Sequence, residues 1–193
     1  VASPHGELLE FFIVLVEDGR LTPHLWQMEH GSPIDVSHKA AGSFCLSRCP
    51  PARSLWLLST GTGLAPYIAM LRTEQPWQSY EKIFVVHGVR HGRDLAYQTE
   101  LDEYRERFEG RLCYVPVVSR EQIAEPALHG RITNCIEDGS LEAAVGESLN
   151  AESCVMLCGN PAMLDETEEL LKARGMKRHR TKEPGQIVVE RYW

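Results

Sequence analysis

The sequence predicts an α/β chain, a doubly wound parallel sheet preceded by the closing part of an antiparallel β unit. Two observations carry this reading. From Ser54 onward, short apolar runs alternate with charged or amphipathic helical stretches, the pattern that winds helices onto both faces of a parallel sheet. The first 50 or so residues lack that alternation and close on Pro50-Pro51-Ala52-Arg53, which sets the expected boundary between units 1–52 and 53–193.

Leu8 to Glu17 is aromatic and β-branched, and is expected to form a strand that turns at Asp18-Gly19. Leu21 to Met28 reads as a short helix with Thr22 as N-cap and Pro23 as its first residue, and Ile34 to Ser37 as another strand. In the second unit, strands are expected at Leu55–Leu58, Ile83–His87, Leu112–Val118, Ser153–Cys158 and Ile187–Glu190. Helices are expected over Leu64–Arg72, Asp94–Phe108 and Ile132–Glu137. A further helix starts from Asn160 as N-cap with Pro161 at the first position, and ends before Gly175.

Composition narrows the class. The chain has 193 residues, a net charge of −7, 43% apolar residues and 24% charged ones, which excludes a disordered or fibrous chain. No apolar run approaches the ~20 residues that span a bilayer. The first residues lack the cationic start and apolar core of a signal peptide. The acidic balance argues against a general nucleic-acid binder. Six dispersed cysteines without metal-ligand spacing are expected to be free thiols in a reduced cytoplasm, and no metal site is expected.

Four segments could carry chemistry. Ser59-Thr60-Gly61-Thr62-Gly63-Leu64-Ala65-Pro66 follows the first parallel strand. Gly61 and Gly63 let backbone approach a pyrophosphate, and Pro66 suits the first helical turn. The segment is neither Gly-x-Gly-x-x-Gly nor a Walker loop, so a plain tight turn is the competing reading. Arg90, Arg120 and Arg131 stand at or just after strand ends, Arg120 behind Ser119, where open α/β sheets bind ligands. Convergent guanidinium groups suit a phosphate; singly, each could be a solvated surface arginine. Cys158-Gly159-Asn160-Pro161 is either a close approach to a flat ligand or simply a good helix opening. Tyr192-Trp193 either stacks on a conjugated ligand or plugs a groove in the core. Upstream, Lys172 to Lys182 carries six cations and no carboxylate, a candidate docking face for an acidic partner or a merely solvated one.

With these segments in order, the chain resembles the bacterial ferredoxin/flavodoxin–NADP⁺ reductases of the type ending in Tyr-Trp. The resemblance rests on Val1-Ala2-Ser3-Pro4, Gly19-Arg20-Leu21-Thr22 and Lys39-Ala40-Ala41-Gly42-Ser43-Phe44. It continues through the Gly61 to Pro66 turn, Val118-Ser119-Arg120-Glu121, Cys158-Gly159-Asn160-Pro161 and the aromatic tail. It implies a six-stranded FAD-binding barrel followed by an NADP-binding α/β domain, with hydride passing between nicotinamide and flavin and single electrons passing to or from ferredoxin or flavodoxin. By matching position, it implies that Arg20, Leu21 and Thr22 contact the flavin nucleotide and that Thr62 lies by the diphosphate or the nicotinamide. Arg90, Arg120 and Arg131 would hold the adenosine end of NADP with its 2′-phosphate, and Cys158 and Glu190 would flank hydride transfer. Tyr192 would lie on the isoalloxazine and Trp193 on the FAD adenine. The family's Arg-x-Tyr-Ser motif, expected just before Val1, is absent, so the chain reads as N-terminally truncated. Two other readings remain at this stage: an NADH-using reductase component of an oxygenase, and a fragment that retains only nucleotide binding.

Overall fold

Side chains alternate along β1 (Ser54–Thr60), and this feeds two cores. Leu55 and Leu57 pack with α2 (Ala65–Leu71), α3 (Gln75–Ser79) and α4 (Gln98–Arg107), while Trp56 and Leu58 pack with α5 (Ile132–Glu137), α6 (Ser140–Val145) and α7 (Pro161–Ala173). These residues are inaccessible to solvent, and each contributes about 2–3 kcal/mol by burial. The computed structural model that shows this describes residues 1–6, 8–37, 42–124 and 126–191.

The remaining strands are β2 (Lys82–Val89), β3 (Leu112–Val118), β4 (Leu128–His129), β5 (Ser153–Gly159) and β6 (Ile187–Arg191). Every pairing is parallel and the order is β4-β3-β2-β1-β5-β6. The chain therefore winds outward from β1 in both directions, and the winding reverses between β1 and β5, whose register sets Ser59 opposite Cys158. Ligands of such sheets enter the crevice at the carboxyl ends on either side of that reversal.

Residues before Ser54 depart from expectation. Leu8 to Glu17 and Ile34 to Ser37 form no strand, because a strand exists only through a neighbour's backbone and no described segment forms a ladder with them. Leu8, Leu9, Phe11, Val14, Val16, Ile34 and Val36 accordingly stand exposed. The turn after Val16 forms, with Gly19 N–H donating to Val16 O at 2.8 Å. The short helix α1 is Thr22–Trp26, and Thr22 is its first residue rather than its cap. Its hydroxyl is instead engaged by the Val16 N–H at 3.0 Å and the Val16 carbonyl at 3.2 Å.

The segment before Ser54 is held to the sheet and its helices through Ala2, Leu46, Phe12 and Phe44, which join the core beneath α2 to α4. Arg72, just past α2, adds a polar clamp. It grips Glu100 of α4 bidentately at 2.8 and 2.9 Å, and donates to Glu10 at 2.7 Å and to the Ala2 carbonyl at 3.0 Å. Tyr97 donates to Glu10 as well, at 2.7 Å. The paired guanidinium and the tyrosine hydroxyl hold the Glu10 carboxyl below its ordinary range. Arg72→Met would leave both carboxylates without their cation. The groups are partly solvated, so the expected loss is about 1–2 kcal/mol. Faster limited proteolysis within residues 8–20 than in the parent protein is the measurement; unchanged cleavage would show that the apolar contacts alone hold the segment.

Candidate functional site

At the reversal point, two glycines let backbone meet backbone. A Cβ on Gly63 would lie 2.3 Å from the Cys158 carbonyl oxygen, and one on Gly159 would lie 2.2 Å from Thr60 Oγ1 and 2.8 Å from Thr60 N. Gly159 also has φ of +138°, which L-residues avoid. The closeness lets Thr60 Oγ1 accept the Asn160 N–H at 2.8 Å. Asn160 in turn caps α7, its side-chain oxygen accepting from Ala162 at 2.9 Å and Met163 at 3.4 Å, with Pro161 first in the helix as the sequence predicts. The Gly61–Leu64 turn is a 3-10 segment, and Gly61 faces open space.

His87, in sequence only the last residue of the expected strand Ile83–His87, supports this turn from below. It is fully buried on β2, its Nε2 lies 3.0 Å from the Gly61 carbonyl, and its Nδ1 has no partner. A carbonyl only accepts, so Nε2 carries the hydrogen, and because Nδ1 is buried without a partner to receive a second proton, the ring is neutral. Burial pushes its pKa down to about 4, against an ordinary value of 6.5. The unfolded chain thus takes up a proton near pH 6.5 while the folded one does not, so stability present above pH 6.5 drains away as pH falls toward 4. Between pH 7 and pH 4.5 the parent protein should lose about 2–3 kcal/mol more than His87→Gln in urea titrations. Parallel losses would refute the neutral, desolvated histidine.

The three strand-end arginines fall on one edge. Arg90 follows β2, Arg120 lies two residues beyond β3 and Arg131 two beyond β4. All three are exposed, and none forms an ion pair among the described residues. Some other arginines are paired, with Arg53, Arg72, Arg174, Arg178 and Arg191 each holding a carboxylate within 4.0 Å, whereas Arg20, Arg48, Arg107, Arg111 and Arg180 form no ion pair among the described residues either. The loops carrying Arg90 and Arg120 are tied together, with Arg120 N–H donating to Arg90 O at 3.0 Å and Ser119 Oγ to Val89 O at 3.2 Å.

Across the reversal, Glu190 of β6 stands in register with Cys158 of β5. Cys158 is wholly buried, whereas Glu190 is half-buried and points toward Gly42, whose added Cβ would lie 3.9 Å from its Oε1. Glu190, Gly42, Phe44, Pro66, Val1 and Ser3 are among the residues lining a cavity of about 440 Å³. That volume is within the range of small-molecule sites, and its lining joins apolar surface to one carboxylate. Phe44 and Ser3 belong to segments quoted for the family likeness, but their place in a cavity carries no sequence signal. Arg20, Leu21 and Thr22 do not line it; Arg20 and Leu21 are exposed on the N-terminal segment. Tyr192, Trp193 and residues 38–41 lie outside the described residues.

The cationic stretch at residues 172–182, a candidate docking face or a merely solvated one, is partly engaged within the fold. It precedes β6 and so lies at the amino edge of the sheet, opposite the glycine turn. Lys172 and Arg178 pair with Glu168 at 3.0 and 2.9 Å, and Arg174 pairs with Glu142 at 2.7 Å, so half of its cations brace α6 and α7. None of the six cysteines is in a disulfide. Among the described residues no cluster could hold a metal ion, and no helix is long and apolar enough to cross a membrane.

Comparison with known proteins gives the family and the fold. Residues 57–169 match the model of the oxidoreductase NAD-binding domain family. The chain is 42% identical over its whole length to the flavodoxin/ferredoxin–NADP reductase of Shigella flexneri, of which it spans 78%. It is 36% identical to the ferredoxin–NADP reductase of Azotobacter vinelandii, covering 99% of this chain and 77% of that protein. The crystal structure of a Neisseria gonorrhoeae ferredoxin NADP⁺ reductase with bound FAD and NADP superposes with a TM-score of 0.85 at 30% identity, covering 91% of this chain and 71% of that one.

Proposed function

The chain belongs to the flavodoxin/ferredoxin–NADP reductase family, and from that premise we propose how its own residues serve the reaction: hydride exchange between NADPH and FAD, and single-electron exchange with ferredoxin or flavodoxin. The strand order carries the reading. It sets Arg90, Arg120 and Arg131, which form no ion pair among the described residues, along one side of the carboxyl edge and the Gly61–Gly63 turn at its centre, one, two and three strand spacings away, or roughly 5–15 Å. An elongated, doubly anchored dinucleotide fits that layout. The arginines take the 2′-phosphate, Ser119 the adenosine end, and the exposed turn of Gly61, Thr62 and Gly63 the diphosphate. Gly159, Asn160 and Pro161 shape the crevice toward which the nicotinamide end runs.

The cavity beside Glu190 fits one face of a flat ring system, with Phe44, Pro66 and Ser3 as walls. Bound FAD supplies the ability to accept two electrons as hydride and release them singly. Glu190 holds a carboxylate at that locus for proton exchange, and Cys158 gives the crevice a small, dry floor. Arg20, Leu21 and Thr22 steady its nucleotide portion, and the family likeness alone assigns Tyr192 and Trp193 to stacking on the flavin. The setting that follows is the cytoplasm, with the protein acting as a monomer. The test is titration of the chain with FAD followed by NADPH-driven reduction of a flavodoxin and of a ferredoxin. Bound-flavin absorbance with turnover preferring NADPH over NADH is expected. Absence of flavin bands at saturating FAD would reduce the chain to a nucleotide-binding unit, and equal turnover with NADH would remove the role given to the arginines.

A further inference from the structure

Resting on the reading of the three arginines as a 2′-phosphate site, we propose that Glu121 is its positioning residue, fixing the three arginine-bearing loops relative to one another. Glu121 directly follows Arg120 beyond β3. One carboxylate oxygen accepts the Gly92 N–H at 2.5 Å and the other lies 3.7 Å from His91 Nδ1, both in the loop that begins with Arg90. The Glu121 main-chain carbonyl accepts from His129 Nδ1 at 3.1 Å, two residues before Arg131. A single residue therefore touches the loop after β2 and the end of β4, while its chain neighbour supplies the guanidinium beyond β3.

The detail of these contacts separates positioning from neutralisation. An acidic side chain beside three arginines would ordinarily pair with one of them, and would then compete with an incoming phosphate. Glu121 forms no ion pair with any of the three. It is turned instead onto a backbone N–H, and Gly92 is the residue that admits it, since an added Cβ there would lie 3.3 Å from Glu121 Oε1 and 3.3 Å from Ile123 Cγ2. The carboxylate sets the loop, and no carboxylate among the described residues occupies the arginines that a dianion would take.

Binding of 2′-phospho-AMP and of AMP by calorimetry tests this without any turnover, alongside NADPH kinetics. Glu121→Ala should weaken 2′-phospho-AMP about tenfold and leave AMP unchanged, and raise KM for NADPH with kcat intact. Glu121→Gln keeps an acceptor for Gly92 N–H and should restore most of that affinity. Equal weakening of both nucleotides, or no weakening, overturns the proposal. Arg120→Ala run in parallel separates the two levels. If it loses the preference for 2′-phospho-AMP while Glu121→Ala keeps it, only the role of Glu121 falls. If Arg120→Ala also keeps the preference, the site itself falls and Glu121 with it.

Discussion

Replacing Gly63 or Gly159 with alanine should cost the fold about 4 kcal/mol or more, lowering the melting temperature by roughly 10 °C or preventing accumulation of folded protein. The cause is contact with backbone, which has little room to move. The Gly63 methyl would sit 2.3 Å from a carbonyl oxygen of β5, and the Gly159 methyl would meet Thr60 N at 2.8 Å and Thr60 O at 2.9 Å. Relief requires separating the ends of β1 and β5, which breaks the Asn160 N–H to Thr60 Oγ1 bond and loosens the start of α7. Gly61→Ala is the contrast. Its φ of +52° is left-handed but nothing lies within 4 Å, so about 1–2 kcal/mol is expected from conformation alone. The new methyl would project into open space at the turn assigned to the diphosphate. Gly61→Ala should therefore weaken NADPH binding far more than it lowers stability, the reverse of its two neighbours. Thermal melts with and without NADP⁺ measure both effects; similar profiles for all three variants would remove the distinction.

That contrast also shows where sequence reading succeeds and stops. The strand Leu112–Val118 and the helix Ile132–Glu137 form as predicted, residue for residue, because each feeds a core it meets wherever the chain folds. The apolar run at Leu8–Glu17 carries equal strand chemistry, yet pairing depends on a neighbour and the segment stays outside any ladder. The helices Gln75–Ser79 and Ser140–Val145 and the two-residue strand Leu128–His129 escape notice because each is too short to set up a period. At the site, the glycine turn and the arginines are legible from position alone, since strand ends in such sheets face the crevice. His87 is not, because its role depends on the Gly61 carbonyl of the adjacent strand's turn, and Ile-Phe-Val-Val-His shows only a ladder residue. Glu121 is visible within Ser-Arg-Glu, but its reach to Gly92 and His129 comes from the register of three strands.

Arg120→Ala combined with Arg131→Ala should lower the NADPH-over-NADH ratio of kcat/KM by about two to three orders of magnitude and leave NADH turnover unchanged. Each guanidinium to phosphate contact is charge-assisted, worth about 1.5–2 kcal/mol at an exposed position, and the two act on one group. Both side chains are solvent-exposed and neither is neutralised by a carboxylate among the described residues, so their removal exposes no buried anion and should not unfold the protein. The loss therefore falls on ligand discrimination alone. Two signatures separate this from a general electrostatic effect. A phosphate monoester loses one charge below its second pKa of about 6, so the preference of the parent protein should shrink as pH falls from 7 toward 5 while the double variant stays flat. Raising ionic strength should erode the same preference in the parent alone, because exposed ion pairs are screened over about 10 Å at 0.1 M salt. Arg120→Lys with Arg131→Lys should recover only part of the ratio, since an ammonium supplies charge without the bidentate fork. If the lysine pair recovers it fully, the site reads only charge; if the alanine pair leaves the ratio intact, the 2′-phosphate lies elsewhere.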